Sequence, residues 1–75
     1  MKIDSKCEAF LKKLGKRLRD LRESKGWTLE ETEEHGQINW RHLQKIENGK
    51  NITLSTLWKL SKLYKTHPSK ILENL

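Results

Sequence analysis

The sequence contains little cysteine or proline and no long apolar stretch, and these shortages exclude several classes of protein. Cys7 is the one cysteine, so no internal disulfide can form, and a reducing cytoplasm suits the chain. No apolar run approaches the roughly 20 residues of a membrane-spanning helix, and the lysine-rich beginning lacks the apolar core of a signal peptide. We therefore expect a cytoplasmic protein.

Apolar residues are also scarce. The chain has 75 residues, of which 33% are hydrophobic and 35% are charged. A single core is marginal at this size, so we expect one domain over residues 1–75, with part of its stability gained by self-association. The net charge of +6 and an isoelectric point near 9.7 favour a polyanionic partner, nucleic acid before an acidic membrane. Charge that only maintains solubility is an equal alternative.

Side chains that often carry chemistry are present but are not arranged for it. The histidines His35, His42 and His67 have no metal-ligand spacing with one another or with Cys7. Cys7 lacks a neighbouring acid or base, and we interpret it as a half-buried core thiol. The carboxylates within residues 30–34 have no partner base, and no glycine-rich phosphate loop occurs. We expect no enzymatic activity, no cofactor, no metal and no small-molecule ligand.

The beginning of the chain predicts a long first helix with one apolar face and one basic face. Ser5 and Glu8 have the capping-box spacing, which places the helix start near Lys6. Gly26 supplies its end. The apolar positions recur at helical spacing: Cys7, Phe10, Leu11, Leu14, Leu18 and Leu21. The other face holds Lys12, Lys13, Lys16, Arg17, Arg19 and Arg22. We interpret this basic face as a solvated surface in preference to a direct DNA contact.

The middle of the chain holds two further helix-start signals. Thr28 and Glu31 have the capping-box form, in which each side chain satisfies a backbone N–H. Asn39 is a strong N-cap by itself. These signals predict helices over about 29–35 and 40–48. Two short helices joined by a tight turn are more often a recognition device than a catalytic one.

The third predicted helix has a core side and an unusual exposed side. Leu43 and Ile46 share the side that belongs to the core. The opposite side holds Trp40, Arg41, Gln44, Lys45 and Asn48. Arginine and lysine donate to guanine, a glutamine amide pairs with adenine, and a flat apolar ring suits a thymine methyl group. We interpret this side as a DNA-reading surface in preference to a plain solvated surface.

The last third of the chain predicts two more helices. Thr53 caps a helix over about Leu54–Tyr64. Pro68 opens a short final helix, with His67 as its cap. The residues that fit the core stripe of the longer helix are Leu54, Leu57, Leu60 and Tyr64. No segment has a strand pattern, so the predicted fold class is all-α.

Several apolar residues exceed what so small a core can bury. They are Trp58, Leu63, Ile71, Leu72 and Leu75. Surplus apolar surface is typical of a protein–protein contact, so we predict that these residues form a homodimer interface. Trp58 fits either the edge of the core or the dimer surface. We expect Trp27 in the core and Trp40 exposed.

A resemblance to a known family is carried by the segment RLRDLRESKGWTLEE…INWRHLQKIENGK, from Arg17 to Lys50. Its Thr-x-Glu-Glu helix start and Ile-Glu-Asn-Gly ending, and the Leu-x-x-Leu stripe that follows, resemble the phage-repressor and Cro-like helix-turn-helix domains. The resemblance extends over about Leu14–Leu72. It implies a compact five-helix, lambda-repressor-like fold and a sequence-specific transcriptional regulator that binds double-stranded DNA. It further implies a homodimer that is nucleoid-associated when bound and inserts its third helix into the major groove.

The resemblance also implies roles for single residues. The arginine and glutamate that pair between the first and third helices of the family fall on Arg22 and Glu47, which implies a structural salt bridge. The family's base-reading and backbone-contacting positions fall on the third helix and the loop after it. Together with the Asn39 cap, the predicted DNA-binding residues are Asn39, Trp40, Arg41, Gln44, Lys45, Asn48, Lys50 and Asn51.

The chain departs from the family pattern in its second helix. Leu29 replaces the glutamine that touches a phosphate, and Thr32 and Glu33 replace the usual leucine and alanine. The usual turn glycine is Gln37, with Gly36 one place earlier. These departures keep two alternatives open. One is a protein-interaction or antitoxin-like module with the same fold, and the other is a DNA-architectural protein without sequence preference.

Overall fold

Five helices follow one another along residues 4–75, which are the residues that the computed structural model describes. They are α1 (Ser5–Ser24), α2 (Leu29–Gly36), α3 (Trp40–Glu47), α4 (Leu54–Leu63) and α5 (Pro68–Leu72). This part of the chain contains no strand, and the predicted all-α, five-helix class is confirmed. None of the helices in it combines the length and the apolar character that crossing a membrane requires.

The helix starts are set by side chains that accept the first backbone N–H groups. Asp4 caps α1, and its Oδ1 accepts from the N–H of Cys7 at 2.8 Å. The predicted Ser5 cap is therefore wrong, because the Asp4 carboxylate takes that place and also suits the positive end of the helix dipole. The capping box of α2 is formed: Thr28 Oγ1 accepts from the N–H of Glu31 at 3.1 Å, and Glu31 Oε1 accepts from the N–H of Thr28 at 2.9 Å.

One hydrophobic core joins α1, α3, α4 and α5 with the turn before α3. Its buried members are Leu14, Leu18, Ile38, Leu43, Ile46, Leu57, Leu60, Tyr64 and Ile71. Each fully buried aliphatic side chain contributes about 1.5–3 kcal/mol relative to an exposed one. Burial, with the nearby carboxylate of Glu47, raises the pKa of the Tyr64 hydroxyl well above its usual value, so this buried group stays protonated.

The helices α1 and α3 approach each other closely at Gly15. A methyl group at this position would lie 2.5 Å from the backbone carbonyl oxygen of Ile46 and 2.6 Å from that of Glu47. Two backbones cannot approach so closely across a side chain, so the position requires glycine. This contact fixes the last turn of α3 against the middle of α1.

An arginine of α1 holds α5 in place. Nη1 of Arg17 donates to the carbonyl oxygen of Ile71 at 3.0 Å, and also to that of Glu73. Ile71 itself is fully buried. The basic face of α1 is therefore not only a solvated surface, since Arg17 belongs to the packing of the last helix.

The second helix packs through small groups, one of which, Thr32, stands where the family pattern has leucine. Thr32 is fully buried, and its hydroxyl donates to the carbonyl oxygen of Thr28 at 2.8 Å. A methyl group on Gly36 would lie 2.5 Å from Cδ2 of Leu63, so the end of α2 rests directly on α4. Gln37 then reverses the chain with a φ of 54°. A left-handed conformation costs a residue with a Cβ about 1–2 kcal/mol.

Three residues that the apolar periodicity places in the core are exposed. Cys7 and Phe10 lie in the first turns of α1, and the buried residues of that helix begin only at Leu11. Leu54 is 82% exposed at the first position of α4. The interpretation of Cys7 as a half-buried thiol and of Leu54 as a core residue is therefore wrong. These helix ends extend beyond the elements that would cover them.

Candidate nucleic-acid interface

The first backbone N–H groups of α3 donate to two side chains, one from the cap residue before the helix and one from α2. Oδ1 of Asn39 accepts from the N–H of Arg41 at 2.9 Å and from that of His42 at 3.2 Å. Oε1 of Glu33 accepts from the N–H of Trp40 at 2.8 Å. The acidic residue that replaces the family's alanine thus ties α2 to α3. This role of Glu33 has no signal in the sequence, because no helix-capping pattern joins an N–H to a side chain seven residues earlier.

The predicted reading side of α3 faces outward. Leu43 and Ile46, on the opposite side, are buried in the core. Five predicted DNA-binding side chains of this helix and its two caps are exposed: Asn39, Arg41, Gln44, Lys45 and Asn48. Trp40 is half-buried, less exposed than expected, and the guanidinium carbon of Arg41 lies 5.3 Å from the centre of its ring. A cation at this distance is attracted by the ring, which limits the positions that the arginine occupies.

A buried ion pair fixes the far end of α3. Nε of Arg22 lies 2.7 Å from Oε2 of Glu47, and Nη2 donates to Oε1 at 3.0 Å. Nη1 of the same arginine donates to the carbonyl oxygen of Trp27 at 2.7 Å. The pair that the resemblance implies is present, and it joins α1, the chain entering α2, and the end of α3. The hydrogen bond with Glu47 raises the pKa of Arg22 above its usual value.

A second arginine reaches the same carboxylate from the surface. Nε of Arg19 lies 3.5 Å from Oε1 of Glu47, and Nη2 of Arg19 donates to Oδ1 of Asn48 at 3.0 Å. The helical periodicity of α1 predicts only a solvated face for Arg19. The signal that could have found it is its position three residues before Arg22, because residues at this spacing share a helix face.

The loop after α3 runs against α1. A methyl group on Gly49 would lie 2.7 Å from Cγ of Lys12, so the loop backbone touches the lysine stem. Lys50 and Asn51, the two predicted backbone-contacting residues of the loop, are exposed. A cavity of about 340 Å³ at this junction is lined by Glu8, Leu11, Lys12, Asn48, Gly49, Lys50 and Asn51. The structure thus brings the predicted loop residues together with α1.

The exposed side of α2 is acidic. Glu30, Glu31 and Glu34 are exposed. His35, at the end of this helix, stacks on the half-buried Trp27 with ring centres 4.3 Å apart and planes 15° apart. Within residues 4–75, no three side chains of the His, Cys, Asp and Glu types are grouped to hold a metal ion. Because the exposed side of α2 is acidic, the positive charge of the candidate interface comes from α3, the following loop and α1.

The predicted dimer residues divide into three groups by their burial. Ile71 is fully buried in the core, so its assignment to a dimer surface is wrong: the apolar run at the end of the chain does not reveal which residue faces inward. Leu63 and Leu75 are partly buried against the core. Trp58 is 58% exposed and Leu72 is 36% exposed. The exposed apolar surface of the predicted set is thus centred on Trp58 and Leu72.

Comparisons with known proteins agree with this geometry. A family model described as helix-turn-helix matches residues 18–71. The crystal structure of the restriction-modification controller protein C.AhdI from Aeromonas hydrophila is similar to this chain, with a TM-score of 0.78 and 30% sequence identity. That similarity covers 84% of this chain and 97% of the controller protein. No match was found among curated protein sequences.

Proposed function

Because the chain belongs to the Cro/C1-type helix-turn-helix family and is a sequence-specific DNA-binding transcriptional regulator, we propose that α3 enters the major groove of its operator. The observation that carries the proposal is the division of α3 into a buried side and an exposed side with Arg41, Gln44 and Lys45. The major groove is about 12 Å wide and admits one α-helix. Eight residues of helix span about 12 Å, enough to present these three side chains to successive base pairs.

We assign the roles of the exposed residues by their chemistry. Arg41 and Lys45 donate to the acceptors of guanine, and the amide of Gln44 pairs with adenine. Asn48, Lys50 and Asn51 contact the DNA backbone, as does the amide group of Asn39 beside the helix start, whose oxygen is committed to the cap. Trp40 packs against the sugar or a thymine methyl group beside Arg41.

We further propose that the regulator binds as a homodimer through the surface around Trp58 and Leu72. Two copies would then place their α3 helices in half-sites about one helical turn, or 34 Å, apart. A protein of this kind acts on DNA in the cytoplasm and is nucleoid-associated when bound. The family and the similarity to a controller protein point to a regulator without enzymatic activity.

A selection from a random duplex library, followed by sequencing of the bound DNA, tests the proposal. We expect a two-fold symmetric consensus, because two identical half-sites would be read. Binding of all duplexes with equal affinity would instead indicate an architectural protein. No binding to any duplex at low salt would favour the protein-interaction module, for which the acidic surface of α2 supplies a reason.

A further inference from the structure

The junction of α1 and α3 carries a surplus positive charge. Two arginines approach the single carboxylate of Glu47, which is only 2% exposed. Arg22 is 10% exposed and makes the two short contacts with that carboxylate, whereas Arg19 is 42% exposed and lies farther from it. Arg22 therefore neutralises Glu47 in the interior. The charge of Arg19 remains at the surface.

The donors of the two arginines differ in how they are used. A guanidinium group has five N–H donors in a planar fork. Arg22 directs Nε and Nη2 to Glu47 and Nη1 to the carbonyl oxygen of Trp27, so all three of its nitrogens are engaged inside the protein. Arg19 directs Nε toward Glu47 and Nη2 to Asn48. These contacts hold its guanidinium in place and leave both N–H groups of Nη1 and the second N–H of Nη2 for an acceptor outside the protein.

Arg19 is placed where a DNA strand would pass. Its partner Asn48 directly follows the last residue of α3 and belongs to the proposed backbone-contacting set. A helix with its side chains is about 10–12 Å across, which fills the major groove. Groups bonded to the end of such a helix therefore meet the phosphates that border the groove. A planar guanidinium held by two contacts is well suited to a phosphate, which it binds through paired donors.

We propose that Arg19, a residue of α1, is a phosphate-binding residue of the DNA interface and contacts the DNA backbone beside the end of α3. The inference rests on the proposed entry of α3 into the major groove. It extends the interface from the helix-turn-helix onto the first helix, where sequence analysis favours a solvated surface.

Glu23 lies four residues after Arg19 on the same helix face and is exposed, but within residues 4–75 it makes no ion pair with Arg19 within 4.0 Å. The carboxylate of Asp20 is paired with Lys16 at 3.1 Å. Glu8 lines the cavity between α1 and the loop, but it lies eleven residues before Arg19, or about 16 Å along the helix axis. The end of the junction near Arg19 and Asn48 is therefore the end that attracts a phosphate.

The test measures how DNA affinity depends on salt in the wild type and in three variants. Each phosphate contact contributes about 0.9 to the slope of log K against log salt. We expect Arg19→Gln to lower the slope by about 0.9 per protomer, or about 1.8 for a homodimer on two half-sites, so that a fourfold rise in salt weakens the variant about twelvefold less than the wild type. Arg19→Lys keeps the charge and is expected to keep the slope.

Lys13→Gln is the matched control. It removes the same charge from the same helix, but Lys13 lines a different surface with Asn74 and Leu75. We expect its slope to equal that of the wild type. Measurements on a selected operator and on a random duplex should show the same change for Arg19→Gln, because a phosphate contact carries no sequence information.

Three results would overturn the proposal. The first is an unchanged salt slope in Arg19→Gln, even with weaker binding, because Arg19 would then only support Asn48 and Glu47. The second is an equal fall of the slope in Lys13→Gln, which would indicate a general effect of net charge. The third is a wild type that binds no duplex. This result would contradict the proposed function as well, whereas the first two results would contradict only the role of Arg19.

Discussion

Glu47 is a buried carboxylate whose two arginine neighbours lie in different surroundings. Arg22 is nearly buried and contacts it at 2.7 Å, and Arg19 is partly exposed and lies at 3.5 Å. The hydrogen bond with Glu47 favours the charged form of Arg22 and raises its pKa, so this arginine stays protonated at physiological pH. Because the pair joins α1 to the end of α3, it sets the position of α3.

The first prediction concerns the stability that this pair provides. Glu47→Ala leaves the charge of Arg22 buried without a partner, so we expect the free energy of unfolding to fall by about 3–5 kcal/mol. Urea unfolding followed by circular dichroism measures this change. Lys16→Ala, which breaks the exposed Lys16–Asp20 pair, is the control and should change stability by about 0–1 kcal/mol. A loss in Glu47→Ala as small as that of the control would contradict the structural role.

The second prediction concerns base reading. Arg41→Ala and Lys45→Ala should each weaken binding to a selected operator by about 1–3 kcal/mol and relax the preference at one base pair. Fluorescence anisotropy with the operator and with single-base variants measures both effects. Lys59→Ala removes an exposed lysine of α4 and should leave the base preference unchanged. If both α3 variants read the operator like the wild type, the reading side is wrongly assigned.

At the scale of single elements, α2 is a short acidic helix held by hydrogen bonds more than by apolar packing. Its one fully buried residue is Thr32, and Glu33 connects it to the first N–H of α3 at 2.8 Å. The other end of the helix contacts α4 through Gly36 and Leu63. The element that departs most from its family's pattern is thus still anchored at its start, middle and end.

The third prediction concerns the pH dependence of this helix. Hydrogen bonds from the backbone and side chain of Thr28 lower the pKa of Glu31 below its usual value. A depressed folded-state pKa means that the stabilisation is fully present above the ordinary glutamate pKa and is lost as the pH falls through the lower folded value. We expect the free energy of unfolding to decline on acidification below about pH 4.5, and to decline less steeply in Glu31→Gln.

Unfolding curves at several pH values measure this difference. Glu30→Gln is the matched control, because Glu30 is an exposed glutamate of the same turn with no partner in the capping box. Its pH dependence should follow the wild type. Parallel curves for the wild type and Glu31→Gln would show that the capping box contributes no measurable pH dependence.

At the scale of the whole molecule, a small core leaves a few large apolar side chains outside it. Trp58 and Leu72 are exposed by 58% and 36%, and Nζ of Lys62 lies 5.4 Å from the centre of the Trp58 ring. Trp58 and Leu72 lie on α4 and α5, whereas Arg41, Gln44 and Lys45 lie on α3. The proposed dimer contact and the proposed DNA contact therefore use different helices.

The fourth prediction concerns the homodimer. We expect sedimentation to show a dimer at tens of micromolar. Trp58→Ser should shift the protein toward the monomer and weaken operator binding, because the two copies would no longer bind the two half-sites as one unit. Leu54→Ser is the control, since Leu54 is exposed by 82% on the same helix but lies outside the predicted interface. A wild type that remains monomeric with and without DNA would contradict the dimer.

Much of this protein could be predicted from local patterns in its sequence. The capping box at Thr28, the Asn39 cap, the proline at the start of α5 and the apolar spacing of each helix act within one or two turns of chain. They determine how many helices form and which side of α3 faces the core. The predicted reading side therefore follows from the sequence alone, since the buried positions of Leu43 and Ile46 leave only one side exposed.

The tertiary structure decided what depends on neighbours that are distant along the chain. A periodic apolar face does not indicate where another element stops covering it, which is why Cys7 and Leu54 are exposed and Ile71 is buried. Periodic spacing also does not predict a contact between residues that are 25 or more positions apart in the chain. The hydrogen bond of Arg19 with Asn48 therefore emerges only from the packing of α1 on α3. The sequence by itself determined the helices and their faces, because hydrogen bonding and periodicity act locally. Packing decided which faces meet, and therefore which charges remain at the surface to meet DNA.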